Sequence, residues 1–261
     1  MKNKKLLVSF SGGETSAYML YWVLKNWSND YEIKVVFANT GQENEETLIF
    51  IKKCSEYFNC EIVWVEAKVF YSYTWNGKKY KTDRKNLDRL KYILRKRYKI
   101  SKKVFNRNVI WSDAGTKHKL VNFETASRNG EPFEDVIKKY GIPNASTPHC
   151  NRELKLSPIK SYLKSIGWKD YYTAIGIRID EIDRMNQHRI KRKILYPLIQ
   201  NQKMTKPKIN FWWSKQPFRL ELRGYQGNCK ACWKKSDAKL YTIIKENPEH
   251  FEFIERMEEK Y

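Results

Sequence analysis

Long apolar runs are missing: none reaches the ~18 residues a membrane-spanning helix requires, so a helical span is excluded. The basic start, Met1 to Lys5, is followed by an apolar stretch that stops at Ser11-Gly12-Gly13, too short and too glycine-broken for a signal peptide. A cytoplasmic chain is expected. Neither internal repeats nor a low-complexity linker interrupt it. Cysteine is scarce and odd in number, five residues, which argues against a disulfide framework and towards metal or thiol chemistry. Acidic side chains are few beside basic ones, 29 against 51, and leave a formal charge of +22. Such an excess favours a polyanionic partner, most simply nucleic acid; the competing explanation is the Lys-rich coding of an AT-rich genome, in the style of a phage or related element. What is present suffices for a core: 261 residues, 41% hydrophobic and 15% aromatic, make wholesale disorder untenable.

Residues 5–10 predict a short buried strand, residues 17–27 a helix, 33–38 a second strand, 45–58 an amphipathic helix and 61–65 a third strand. Strands alternating with helices at this spacing predict an α/β fold, an open, mostly parallel twisted sheet with helices on both faces. The rhythm breaks near residue 68. Lys78 to Lys103 holds thirteen Lys or Arg and two Asp, half of the whole excess of charge, and 86–99 predicts a basic helix. The helix expected over 151–166 contains Pro158, a start or a kink. Residues 171–177 predict another buried strand, and 248–260 a closing helix. Residues 1–200 are therefore expected to form one α/β domain carrying a basic, helical insertion at about 70–135, with 201–261 as a C-terminal extension.

Between the first strand and the first helix lies Ser11-Gly12-Gly13-Glu14-Thr15-Ser16. Glycines let backbone amides converge on phosphate oxygens, the helix N-terminus adds partial positive charge, and Ser11, Thr15 and Ser16 can donate to the same oxygens. It is neither the mononucleotide loop with its lysine nor the dinucleotide fingerprint. Strand, S-G-G-x-T-S and helix is, however, similar to the signature of the PP-loop ATP pyrophosphatases, and four further stretches resemble their phosphoadenosine-phosphosulfate (PAPS) reductase-like branch. These are Phe37-Ala38-Asn39-Thr40-Gly41-Gln42-Glu43; Cys150 with Lys155 and Pro158; Gly176-Ile177-Arg178-Ile179-Asp180-Glu181 with Arg184; and Tyr196-Pro197-Leu198. The resemblance implies an adenine nucleotide alpha hydrolase-like fold. It implies ATP or a related adenine nucleotide, with Mg2+, held by Ser9, Ser11, Gly12, Gly13, Thr15, Ser16 and Gly176, the adenine near Phe37, Asn39, Thr40 and Gly41. Ser11, Arg178 and Arg184 are the expected catalytic contacts; an Arg fork suits an oxyanion, and the competing role for either Arg is a surface pair with Asp180 or Glu181. Glu14 departs from the family, which often has Lys or Arg there; a carboxylate beside phosphates repels them unless it meets a cation or points away.

Cys229-Lys230-Ala231-Cys232 is a C-x-x-C, and with His149-Cys150 it resembles the cysteine set of the adenylyl-sulfate reductases, His149 replacing the first Cys. Three thiolates could hold a [4Fe–4S] cluster with one iron open; Cys3His is equally a tetrahedral zinc set, and both readings stand. Cys54 and Cys60 read as small core residues. The reductases of the family attack sulfur with a Cys near the C-terminus, and none follows Cys232 here. The expectation is therefore ATP-dependent adenylation with pyrophosphate release, serving thiolation or another modification of tRNA or DNA gripped through Lys78–Lys103 and drawing on a sulfur donor. The alternatives are a sulfonucleotide reductase using an external thiol, and a non-catalytic nucleotide- or nucleic-acid-binding module.

Overall fold

The computed structural model describes residues 4–75, 78–102, 104–105 and 110–261; Lys103, at the end of the basic stretch, lies outside them, as do the side chains of residues 71–73, 75, 79, 83–88 and 110–114. In chain order, β1 is Lys4–Phe10, α1 Glu14–Trp27, β2 Tyr31–Asn39, α2 Glu45–Tyr57, β3 Ile62–Trp75, β4 Lys78–Asp83, α3 Arg84–Arg97 and β5 Ile110–Val121. There follow α4 Glu131–Tyr140, α5 Ser157–Ser165, β6 Tyr172–Ile175, β7 Ile194–Leu195, α6 Pro197–Gln200, α7 Lys206–Trp213, α8 Asp237–Glu246 and α9 Glu252–Lys260.

One sheet runs β4-β3-β2-β1-β6-β7, with β5 also pairing β3. The pairs β1–β2, β2–β3, β1–β6 and β6–β7 are parallel. This is the open, mostly parallel α/β sheet that the strand–helix rhythm predicts. Leu6, Val8 and Phe10 point to one face, where Ala17, Met19 and Leu20 of α1 and Leu48 and Ile51 of α2 cover them. Leu7, Val36, Ala38 and Val65 point to the other, under Ile159, Tyr162 and Leu163 of α5. Burial on both faces is why β1 reads as a continuous apolar run instead of an alternating one. From β1 the chain first winds outward through β2 and β3, then returns to the other side of β1 as β6. The carboxyl end of β1 is thus the point where the strand order reverses, the place at which open sheets leave a crevice.

The basic insertion differs from the helical one expected. β3 continues ten residues past the predicted end, and β4 and β5 pair with it antiparallel, so the insertion is a β-arm carrying α3. The arm packs on the main body: Leu94 and Phe105 share a buried cluster with Val69, Val136 and Leu154. The C-terminal extension is likewise part of the main core, since Trp213 is 1% exposed and packs on Phe50. Pro158 lies inside a run of helical backbone over 150–165, just after a π-turn over Arg152–Leu156 in which the amide of Ser157 bonds back to the Arg152 carbonyl; the wider turn is the irregularity that accompanies the proline. No helix among the described residues is long and apolar enough to cross a membrane.

Candidate functional site

The turn between β1 and α1 is built around Gly12, which has φ +78°, a conformation L side chains rarely adopt. A Cβ there would lie 2.8 Å from Thr47 Cγ2 and 2.9 Å from Ile51 Cδ1 of α2. Gly12 is therefore a glycine for two reasons, its dihedral and the pressure of α2, and its missing Cβ points at α2. Within the turn, Ser16 Oγ accepts from the Ser11 amide at 3.3 Å and the Ser11 hydroxyl at 3.1 Å, and donates to the Gly13 carbonyl at 2.8 Å. Among the described residues, no protein group accepts from the amides of Gly12, Gly13, Glu14, Thr15 or Ser16. These amides open α1, where the helix dipole adds to them. Gly176, at the end of β6, abuts the same turn; a Cβ would stand 3.1 Å from the Ser16 Cα.

Arg178 reaches the turn, donating from Nη1 to Thr15 Oγ1 at 3.1 Å, while Asp180 at 3.0 Å and Glu181 at 3.2 Å neutralise it. Both readings of this residue meet in one geometry. Arg184 pairs with Glu181, is 62% exposed, and sits on the rim of a cavity some distance along the same strand ends. Glu14 is held by Arg219 of the C-terminal extension, two parallel bonds of 3.1 and 3.2 Å, and Trp213 Nε1 donates to the Glu14 carbonyl at 3.0 Å. The departure from the family at position 14 is thereby neutralised by a cation 205 positions away.

Two expected adenine contacts take other roles. Phe37 is 1% exposed and packs edge-on against Trp64 at 4.9 Å, a core residue with no ring face left for a base. Asn39 is fully buried, its amide spent on Glu66 Oε1 at 2.7 Å and the Ser127 carbonyl at 2.9 Å. It ties the end of β2 to Glu66 within β3 and to the loop at Ser127. Ser9 is half-buried in β1, and Gly41 is buried with φ +78° beneath Ser127 and Gly130. Thr40 donates to Glu43 at 2.9 Å and lines the cavity.

That cavity, about 450 Å³, is walled by Cys150, Cys229, Cys232, Lys155 and Trp233. Two of the three cysteines come from the extension and one from the segment before α5. Residues five apart, such as Cys150 and Lys155, diverge on an α-helix; the wider π-turn narrows the angle between them. Burial alone would lower the Lys155 pKa, but Cys229, Glu43, Cys232 and Cys150 outweigh it and hold the ammonium above its ordinary value. Burial pushes the Cys229 thiol up to about 11, against the pull of Lys155. His149 is elsewhere: its ring lies against Tyr140 at 5.6 Å and its buried Nε2 has no partner among the described residues. Among the described residues, no group of three or more His, Cys, Asp or Glu comes together closely enough to hold a metal ion. The tetrahedral zinc expectation with His149 does not fit this arrangement, because zinc needs all its donors within a single shell of about 2.0–2.3 Å. Cys54 is fully buried in the core, as expected, and burial pushes the half-buried Cys60 up to about 11.

Sequence reasoning passed over Glu43, Lys155, Arg219 and Asn228 as site residues. Glu43 and Lys155 stood inside recognised motifs; nothing local marks Arg219 or Asn228. Residues 5–112 match the model of the phosphoadenosine phosphosulfate reductase domain. An uncharacterised nin region protein of Escherichia phage lambda is 27% identical over 241 residues, 92% of this chain and 69% of that protein. An uncharacterised protein of Methanocaldococcus jannaschii is 24% identical over 190 residues, 72% of this chain but 26% of its own length, so this chain spans about a quarter of it. Among solved structures, a predicted subunit of tRNA methyltransferase from Methanocaldococcus jannaschii matches with a TM-score of 0.35 and 13% identity, covering 95% of this chain and 91% of that one.

Proposed function

We propose that the chain is a member of the PAPS reductase-like branch of the PP-loop ATP pyrophosphatases, a reading that the match over residues 5–112 supports, and that it binds ATP, or a related adenine nucleotide, and activates a nucleic-acid substrate by adenylation. The single observation that carries this reading is the turn after β1: five consecutive amides, from Gly12 to Ser16, have no acceptor among the described residues and lie at the start of α1, at the sheet's switch point. In this reading the β- and γ-phosphates lie on those amides with the Ser11 and Thr15 hydroxyls. Mg2+ offsets their charge, and Arg178, already at Thr15, moves to an oxyanion as pyrophosphate leaves. A carbonyl or phosphate oxygen is a poor leaving group; as an adenylate it departs with AMP, and sulfur from a donor takes its place.

The arm supplies the grip on nucleic acid. Lys96, Arg97 and Lys99 are exposed along α3 and after it, with Tyr92 63% exposed between them and the helix start. Cys150, Cys229 and Cys232 line one cavity but, among the described residues, do not gather closely enough to hold a metal ion, so the expected [4Fe–4S] cluster does not fit this arrangement any better than zinc does. Incubation with ATP, Mg2+ and tRNA or DNA is expected to release pyrophosphate, and Ser11→Ala to slow it. Absence of release with every nucleic acid offered, by a protein that binds ATP, refutes the adenylation step.

A second reading, sulfonucleotide reduction with an external thiol, is favoured by the reductase-domain match over residues 5–112. Sulfite formed from PAPS with an added thiol donor would select it. The third alternative, a non-catalytic module, draws on the carboxylate at position 14, which here is paired with Arg219; ATP binding without turnover, unaffected by Ser11→Ala, would select it.

A further inference from the structure

The C-terminal extension meets the phosphate loop and the cysteine cavity through one short stretch of chain. Asn228 Nδ2 donates to the Ser11 carbonyl at 2.6 Å, and its Oδ1 lies 3.5 Å from where a Cβ on Gly13 would stand. The side chain therefore spans the turn on both sides of Gly12, which is itself wedged against α2. The flanking residues are pinned to the loop between β2 and α2. Asn44 Nδ2 donates to the Gly227 carbonyl at 2.7 Å, Glu43 and Cys229 form an antiparallel bridge, and the Lys230 amide donates to the Gln42 carbonyl at 2.9 Å. One residue after Asn228 the chain delivers Cys229 to the cavity, and Cys232 follows. Lys235 Nζ closes the C-x-x-C turn from below by bonding the carbonyls of Cys229 and Lys230.

From this geometry we propose that Asn228 is a positioning residue that holds the phosphate loop in its binding shape and couples it to the cysteine site. A displacement of Cys229 is carried by a segment braced at Gly227, Cys229 and Lys230, so it moves as a unit and takes the Asn228 amide with it. The Ser11 carbonyl then loses its donor, and the turn loses the strut between Ser11 and Gly13. Linkage makes the effect reciprocal: a nucleotide that fixes the loop also fixes the segment 227–235. The purpose such a strut serves is to make nucleotide affinity depend on the state of the sulfur-handling site. This inference rests on the nucleotide reading above, and its test keeps the two apart.

Backbone hydrogen exchange is followed in peptides covering 9–17 and 227–235, for wild type, Asn228→Ala and Asn228→Gln, without nucleotide and with saturating ATP and Mg2+. In the ligand-free wild type 227–235 is expected to be protected and 9–17, whose amides at 12–16 have no acceptor among the described residues, to exchange fast; Asn228→Ala is expected to speed exchange in 227–235. With ATP, wild type is expected to gain protection in both peptides, while Asn228→Ala gains it in 9–17 alone. Asn228→Gln keeps the amide but displaces the donor; it is expected to behave as Asn228→Ala and guards against loss of the fold in that variant. In parallel, Cys232→Ser is expected to weaken ATP binding about fivefold or more in wild type and to have little further effect in Asn228→Ala. Additive effects, or ATP protection of 227–235 that survives Asn228→Ala, overturn the coupling. A wild type that binds no ATP overturns the nucleotide reading, and the ligand-free exchange then still decides whether Asn228 joins the two segments.

Discussion

Replacing Gly12 by alanine tests the architecture of the phosphate turn with one methyl group. Alanine at φ +78° carries the left-handed strain of an L residue, about 1–2 kcal/mol. Its methyl would also stand 2.8 and 2.9 Å from Thr47 and Ile51, both fully buried on α2, and displacing packed side chains costs about 1–3 kcal/mol more. The total, about 2–5 kcal/mol, corresponds to a fall in Tm of roughly 4–9 °C for a chain of this size. Gly13 is the internal control. Its φ is −100°, and its missing Cβ meets only Asn228 Oδ1, at an ordinary 3.5 Å. Gly13→Ala is therefore expected to change stability by no more than about 0.5 kcal/mol. Calorimetry or circular dichroism melts on the two variants measure the contrast directly. A Gly12→Ala protein melting within about 2 °C of wild type, or a Gly13→Ala protein falling as far as Gly12→Ala, would refute the account of the turn. Because the Gly12 Cβ points at α2, any loss of nucleotide affinity in this variant should track the loss of stability, and be partly recovered by Ile51→Val, which returns space.

Exchanging Lys96 and Arg97 for Gln is expected to lower the slope of log affinity for nucleic acid against log salt by about two, near one per phosphate contact; an unchanged slope makes that face of α3 a solvated surface. Metal analysis and the visible spectrum after anaerobic purification are expected to show no stoichiometric iron or zinc, and iron bound by wild type but lost in Cys229→Ser would restore the cluster to the cavity. Burial, with Lys117 beside it, holds the His118 ring below its ordinary pKa. The unfolded chain therefore takes up this proton first as pH falls below about 6.5, and the folded state loses stability there. His118→Gln should flatten that part of the stability–pH curve, and a variant with the wild-type acid slope would assign the loss to other groups.

Much of the frame was legible along the chain because its causes are local. Leu6-Leu7-Val8 must be a strand covered on both faces, the glycines after Phe10 must break it, and the apolar residues from Ala17 onward must turn at the helical period; neighbours in sequence suffice to state each of these. The β-arm was hidden because residues 66–75 mix Lys, Ser, Thr and Tyr with their apolar positions, and only pairing with β4 and β5, supplied by later chain, makes them a strand. Phe37 and Asn39 are expected as ligand contacts because the family resemblance puts the adenine at the ends of the first two strands; Trp64 and Glu66 of the neighbouring strand claim them.

The amino-acid sequence by itself determined that a strand, a glycine turn and a helix would present unbonded amides, since backbone geometry and the helix dipole require nothing from afar. Only the tertiary structure decided what surrounds them. Glu14 meets Arg219 across 205 positions and Ser11 meets Asn228 across 217. The crossover from β3 back to β6, together with the return of the extension over the strand ends, brings those pairs together. Contacts of that separation are set by the order of strands in the sheet and by what the core must cover, and neither quantity is written in any short stretch of residues.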